Sequence, residues 1–96
     1  MIDLDSQQLN LVRRLVREYF PDCEARVFGS RVNGTAKPWS DLDVVIVSGE
    51  KLPRAKLQLL REALQAAPLT VRVEVQDWRA VAGEFQRVVG EGFEVL

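Results

Sequence analysis

The fold is decided by residues 27–47, which read VFGSRVNGTAKPWSDLDVVIV. A short apolar strand candidate, residues 25–28, runs directly into Gly29 and Ser30. After a loop that contains Asn33-Gly34 and Lys37-Pro38, residues 42–47 form a dense β-branched run. Such a run is typical of a strand that is buried on both faces. We therefore predict two strands separated by this loop, with the second strand central in a sheet.

Apolar residues recur at helical spacing in three further segments. Capping residues, prolines or glycines bound each segment, which predicts amphipathic helices. Asp5 or Ser6 is the expected cap of the first helix, and Asp77 is the expected cap of the last. The predicted buried stripes are Leu9, Val12, Val16 and Tyr19; Leu57, Leu60, Leu64 and Ala67; and Trp78, Val81, Phe85, Val88 and Val89.

Residues 70–75 alternate between polar and apolar side chains, which predicts a strand with one polar face. Together these segments predict an α/β (α+β) fold, in which a small mixed β-sheet of about three strands is flanked by about four helices. We expect residues 1–96 to form one domain, because this length suffices for one core. The apolar tail Phe93, Val95 and Leu96 either completes that core or contacts a partner.

Composition restricts the functional classes. Thirteen basic and fourteen acidic residues give a formal net charge of -1, so no positive field favours extended nucleic-acid binding. No apolar stretch approaches the roughly 20 residues that span a bilayer, so we expect a cytoplasmic protein without membrane contact. The chain has no histidine and a single cysteine, Cys23, which excludes the usual zinc ligand sets and an internal disulfide. Any metal site must therefore consist of oxygen ligands.

Asp41 and Asp43 open the central strand, and residues two apart in a strand point the same way. Two adjacent carboxylates repel each other, and hard oxygen ligands favour Mg²⁺ or Mn²⁺ as the compensating cation. Because Mg²⁺ prefers few carboxylates and the phosphate oxygens of a substrate, the pair indicates a nucleotide site. On their own, the two aspartates are better explained as turn and cap residues that flank a strand.

The neighbouring loop supports the nucleotide interpretation. Gly29 allows close approach of the backbone, and the Ser30 hydroxyl and nearby N–H groups can bind phosphate oxygens. Arg31 either adds positive charge for phosphate or forms an ion pair with a nearby aspartate. Trp39, beside the carboxylates, is expected to anchor its loop onto the body of the protein rather than to stack on a base.

These two motifs together resemble the DNA polymerase β-like nucleotidyltransferase superfamily. Residues 29–36, GSRVNGTA, and residues 40–45, SDLDVV, are similar to that family's Gly-Ser-Arg-Ala-x-Gly-Thr-Ala and Ser-Asp-hydrophobic-Asp patterns. Within it, the chain resembles the minimal nucleotidyltransferases of prokaryotic two-gene modules, and the order of elements agrees over nearly the whole chain. The resemblance implies that Asp41 and Asp43 hold two magnesium ions while Gly29 and Ser30 bind the outer phosphates.

The family needs a third carboxylate on a later strand, usually an aspartate. Glu74 shares the polar face of residues 70–75 with Arg72, whereas Asp77 falls in phase with the valines. We therefore predict that Glu74 converges with Asp41 and Asp43, binds metal and helps to deprotonate the acceptor. Glutamate is one methylene longer than aspartate, a difference that matters in a site sensitive to small displacements.

The resemblance also implies a biological role. Family members of this size resemble antitoxins that silence an all-helical HEPN-type ribonuclease toxin by transferring AMP from ATP onto a toxin tyrosine, as in a type VII-like toxin–antitoxin module. We therefore expect ATP and a HEPN-type toxin as partners, in a homo-oligomer or a hetero-oligomer with the toxin. Two alternatives stay open: an antitoxin that acts by binding alone, and a small-molecule nucleotidyltransferase, against which the short chain argues.

Overall fold

A computed structural model describes all residues from 1 to 96. Its helices are α1 (Ser6–Tyr19), α2 (Ser30–Asn33), α3 (Arg54–Ala66) and α4 (Gly83–Gly90). Its strands are β1 (Glu24–Phe28), β2 (Leu42–Val47), β3 (Val73–Asp77) and β4 (Phe93–Val95). None of the helices is long and apolar enough to cross a membrane, and the longest, α1, has 14 residues.

The four strands form one mixed sheet in the order β3-β2-β1-β4. β1 is antiparallel to both β2 and β4, whereas β2 and β3 run parallel. The predicted mixed sheet with a central β2 is confirmed, but the prediction of about three strands is one too few. The additional strand, β4, has three residues, which is too short for a recognisable periodicity.

The C-terminal tail completes the core. Leu96 is buried, and its N–H donates to the Ala25 carbonyl at 2.9 Å. Val95 stays largely exposed at the outer strand of the sheet. Of the two roles that the sequence left open for this tail, the structure supports the first for Leu96.

One face of the sheet carries the main core. α1 and α3 supply side chains to it, and the Asp5 carboxylate caps α1 by accepting from the Gln7 and Gln8 N–H groups at 3.1 Å. Leu57, Leu60 and Leu64 form the buried stripe of α3, as predicted, whereas Ala67, the fourth predicted member, follows the last residue of the helix and is only partly buried. The buried members from the sheet are Ala25, Val27, Leu42, Val44, Ile46 and Val75.

The opposite face of the sheet meets α4. Phe28 points away from the main core, and its ring contacts that of Phe85 edge-on at a centroid distance of 5.4 Å. The predicted start of this helix is wrong, because α4 begins at Gly83 and β3 continues to Asp77. Asp77 keeps the strand phase of the valines, and its buried carboxylate accepts from the Leu52 and Arg79 N–H groups at 3.0 Å.

Candidate active site

The glycine-serine loop and the carboxylates meet at one end of the sheet. β1 and β2 are antiparallel with Phe28 opposite Asp43, so Gly29 follows β1 directly beside that carboxylate. Gly29 has φ 80°, in the left-handed region that favours glycine. A Cβ at this position would lie 2.7 Å from Asp43 Oδ2. The backbone conformation and the close approach of Asp43 therefore both require glycine here.

Glu74 lies directly across from Asp43 on the neighbouring strand. Their Cα atoms are partners in the parallel β2–β3 ladder, so both side chains project from the same face of the sheet. Asp77, the competing residue, is buried on the other face. The strand-phase argument that selected Glu74 over Asp77 thus agrees with the register.

The three predicted carboxylates are neighbours, but they do not form a shared ligand set. Nowhere in the chain do three or more acidic or thiol side chains lie close enough to hold a metal ion jointly. The Glu74 carboxylate instead forms an ion pair with Arg72. Convergence of Asp41, Asp43 and Glu74 on one point is therefore incomplete, because the longer glutamate side chain reaches the guanidinium two residues away.

The electrostatics of the site centre on Asp43. Burial raises the pKa of its carboxyl group, and the negative charges of Asp41 and Glu74 raise this pKa further. All three causes disfavour the ionised form in the protein alone. The site thus holds surplus negative charge that a cation would relieve.

Asp41 and Asp43 fit a magnesium ion by their chemistry. The available donors are carboxylate oxygens, and Mg²⁺ is usually bound by one or two carboxylates together with water and substrate phosphates. The surplus charge at Asp43 points to the same cation. Glu74 fits a second ion on condition that its carboxylate leaves Arg72.

Ser30 is the first residue of α2, the single helical turn that follows Gly29. The Val32 and Asn33 N–H groups both donate to the Gly29 carbonyl at 3.0 Å, which leaves the two earlier N–H groups of the turn and the Ser30 hydroxyl available to a ligand. Gly34, with φ 85°, ends the turn. Free donors therefore lie beside the carboxylates, where phosphate oxygens would need them.

Arg31 has a structural role that differs from both sequence-based alternatives. The side chain is only 6% exposed and donates to four backbone carbonyls. These carbonyls take up donors on all three nitrogens of the guanidinium, and Arg31 forms no ion pair with an aspartate, so the contacts favour a structural role while phosphate binding by Arg31 stays a prediction. Backbone acceptors carry no sequence signal, which is why the pattern could not reveal this role. The four acceptors are the carbonyls of Asp3 (2.7 Å), Ser40 (3.1 Å), Lys37 (3.2 Å) and Pro38 (3.2 Å).

Trp39 is 77% exposed, so the expectation that it anchors its loop is wrong. Arg31 fixes the backbone on both sides of it, which leaves the indole free to project into solvent. Sequence analysis did not assign a functional role to Arg72, which forms the ion pair with Glu74. Its alternation with Glu74 on one strand face was the available signal.

Comparison with known proteins agrees with this geometry. Residues 9–87 match the family model described as a nucleotidyltransferase domain. The chain is 34% identical over 95 residues to "Probable protein adenylyltransferase MntA" of Haemophilus influenzae, an alignment that covers 99% of this chain and 83% of that protein.

Two solved structures share the fold. One is a toxin-antitoxin with AMP-PNP, with a TM-score of 0.76, 22% identity, and coverage of 96% of this chain and 72% of the other. The second is a tri-AMPylated Shewanella oneidensis HEPN toxin in complex with MNT antitoxin, with a TM-score of 0.73, 20% identity, and coverage of 96% and 71%. Because the family model spans most of the chain and the Haemophilus influenzae relative aligns along nearly all of it, the protein belongs to the nucleotidyltransferase domain family, in its MntA-like group.

Proposed function

We propose that this protein is a magnesium-dependent nucleotidyltransferase that transfers AMP from ATP to a tyrosine hydroxyl of a HEPN-type toxin and thereby acts as its antitoxin. The observation that carries the proposal is the close approach of the Asp43 carboxylate to Gly29, which places the carboxylates beside the loop of Gly29 and Ser30. The relative named as a probable protein adenylyltransferase and the structural neighbour with an AMPylated HEPN toxin support this reaction and this partner.

The loop supplies the nucleotide-binding groups. Gly29 keeps the loop backbone beside Asp43, and this backbone, the Ser30 hydroxyl and the first two N–H groups of α2 would bind phosphate oxygens. Asp41 and Asp43 would hold Mg²⁺ or Mn²⁺, and Glu74 would hold a second ion once its carboxylate leaves Arg72. The bound ions supply charge neutralisation and polarisation of the phosphoryl oxygens.

The reaction is a displacement at the α-phosphorus of ATP. The acceptor hydroxyl oxygen forms a new bond to this phosphorus, the bond to the bridging α–β oxygen breaks, and pyrophosphate leaves with the bonding electrons. The hydroxyl proton passes to the Glu74 carboxylate or to water beside it. The residues of the chain contribute by holding the reactants in line and in a suitable charge environment.

Intact-mass analysis of the partner tests this proposal. Purified protein is incubated with its candidate HEPN partner, ATP and Mg²⁺, and we expect the partner to gain one or more adenylates. Replacing the candidate tyrosine of the partner by phenylalanine should abolish the gain. The Asp41→Ala/Asp43→Ala variant should bind the partner without modifying it, whereas Asp22→Ala, in the exposed turn before the opposite end of β1, should behave as wild type. A partner that is neutralised without any mass increase would contradict the proposal.

A second candidate function is neutralisation by binding alone. The ion pair between Arg72 and Glu74, together with the incomplete ligand set, favours it. The same Asp41→Ala/Asp43→Ala variant separates the two functions in a growth assay with the toxin. Lost neutralisation with an intact complex supports transfer of AMP, and retained neutralisation supports simple sequestration.

A further inference from the structure

We infer that Arg72 is a positioning residue that holds Glu74 apart from Asp41 and Asp43 until a divalent cation draws the glutamate toward them. The inference rests on the proposed metal-dependent function. Arg72 would thus control when Glu74 becomes the third metal ligand. This role explains why the three carboxylates are neighbours but do not form a shared ligand set.

Arg72 is placed for this role by the backbone of the sheet. Its carbonyl accepts from the Leu42 N–H at 2.9 Å, so residue 72 is tied to the chain between Asp41 and Asp43. Arg72 lies directly before β3, and Glu74, two residues further on, is the second residue of that strand. The guanidinium and the Glu74 carboxylate meet there as an ion pair.

The charges around the site give the ion pair its function. Asp43 experiences the negative charges of both Asp41 and Glu74. Arg72 is the only basic side chain that forms an ion pair with any of these three carboxylates. It therefore offsets part of the repulsion that the site contains in the protein alone.

The pair is weak enough to exchange. The Arg72 side chain is 73% exposed and that of Glu74 is 34% exposed, and ion pairs in such surroundings are readily replaced. A divalent ion offers the Glu74 carboxylate twice the charge of a guanidinium. Glu74 then turns to the ion, and Arg72 is released to solvent.

A double-mutant cycle on Mn²⁺ affinity tests the inference. Mn²⁺ binding is measured by electron paramagnetic resonance in the presence of AMP-PNP for wild type, Arg72→Gln, Glu74→Gln and the double variant. We expect Arg72→Gln to tighten Mn²⁺ binding by about two- to fivefold, because Glu74 no longer has a competing partner. In the Glu74→Gln background the same substitution should have no effect. Arg72→Lys, which preserves the ion pair, should stay close to wild type.

The other outcomes are equally decisive. Equal tightening in both backgrounds would show that Arg72 acts on the cation by charge alone, and unchanged or weakened Mn²⁺ binding in Arg72→Gln would also overturn the inference. Thermal unfolding of each variant verifies that the exposed substitutions leave the fold intact. If Asp41→Ala/Asp43→Ala binds Mn²⁺ as tightly as wild type, the proposed metal site itself fails. If those aspartates matter but Arg72→Gln changes nothing, only the role of Arg72 fails.

Discussion

The Asp43 carboxylate occupies the space that a side chain at residue 29 would need, since a Cβ on Gly29 would lie 2.7 Å from Asp43 Oδ2. The residue that follows β1 and the second residue of β2 are therefore packed too closely for any side chain at position 29. This contact makes the loop of Gly29 and Ser30 and the carboxylates one structural unit.

Gly29→Ala should disrupt the site. The substitution places a Cβ against Asp43 and in a backbone conformation with φ 80°, and we expect a loss of about 1–3 kcal/mol in the free energy of unfolding. Transfer of AMP should fall further than stability explains. Gly49→Ala is the matched control, because nothing lies within 4 Å of its added Cβ and its φ is not positive. If Gly29→Ala and Gly49→Ala gave the same results in urea denaturation and in the transfer assay, this prediction would be contradicted.

Asp43→Asn should raise the thermal stability of the metal-free protein at neutral pH by removing repulsion. Burial and the neighbouring carboxylates raise the pKa of Asp43 in the folded state above its value of 3.8 in the unfolded chain. The unfolded state therefore loses its proton first as pH rises, and the folded state loses stability between these two pKa values. The contribution of Asp43 to the free energy of unfolding is therefore most favourable below pH 3.8 and less favourable at neutral pH.

Thermal unfolding of wild type and Asp43→Asn, with and without Mg²⁺, measures this effect. Without metal, the difference between the variants should shrink as the pH falls toward the pKa of the unfolded chain. Mg²⁺ should stabilise wild type more than Asp43→Asn. A metal-free variant that is less stable than wild type at neutral pH would contradict the charge argument.

Arg31→Ala should destabilise the fold by about 2–4 kcal/mol, because it leaves four backbone carbonyls without their buried donor. Arg31→Lys should recover only part of this loss, since one ammonium group cannot match the guanidinium geometry. Arg54→Ala, at an exposed position, is the control. Unchanged stability of Arg31→Ala combined with weakened ATP binding would support phosphate binding by Arg31 instead.

Trp39→Ala should change the free energy of unfolding by less than about 0.5 kcal/mol, because the indole is mostly exposed. Trp78→Ala should cost more, since the Trp78 ring lies 5.3 Å from the Arg26 guanidinium over the sheet. Equilibrium unfolding of the two variants compares the two tryptophans directly. Equal losses would mean that Trp39 packs in solution.

Local patterns predicted much of the fold. The β-branched run of residues 42–47 matched the bounds of β2, and the leucine spacing identified the buried stripe of α3. The pattern missed β4, whose formation depends on pairing with β1 rather than on its own periodicity. It also placed the start of the last helix too early, because Asp77 caps loop N–H groups instead of α4.

In the candidate site too, local patterns predicted the features that depend on backbone geometry and missed those that depend on tertiary contacts. The period-two alternation of strands favoured Glu74 over Asp77, and the β2–β3 register agrees with this choice, because the choice depends on backbone geometry alone. The burial of Arg31 and the exposure of Trp39 depend on tertiary packing, because Arg31 and not Trp39 packs against the loop of residues 37–40. The ion pair of Arg72 with Glu74 likewise depends on side-chain conformations that the sequence pattern does not specify.

The rate of AMP transfer by Asp43→Asn tests the proposed catalysis most directly. Radiolabel from ATP labelled at the α-phosphate is followed onto the HEPN-type partner over a titration of Mg²⁺, with complex formation measured in parallel. We predict that wild type shows a Mg²⁺-dependent rate and that Asp43→Asn is slower by about 100-fold or more while it still binds the partner. A variant that labels the partner at the wild-type rate would contradict the assignment of these carboxylates to catalysis.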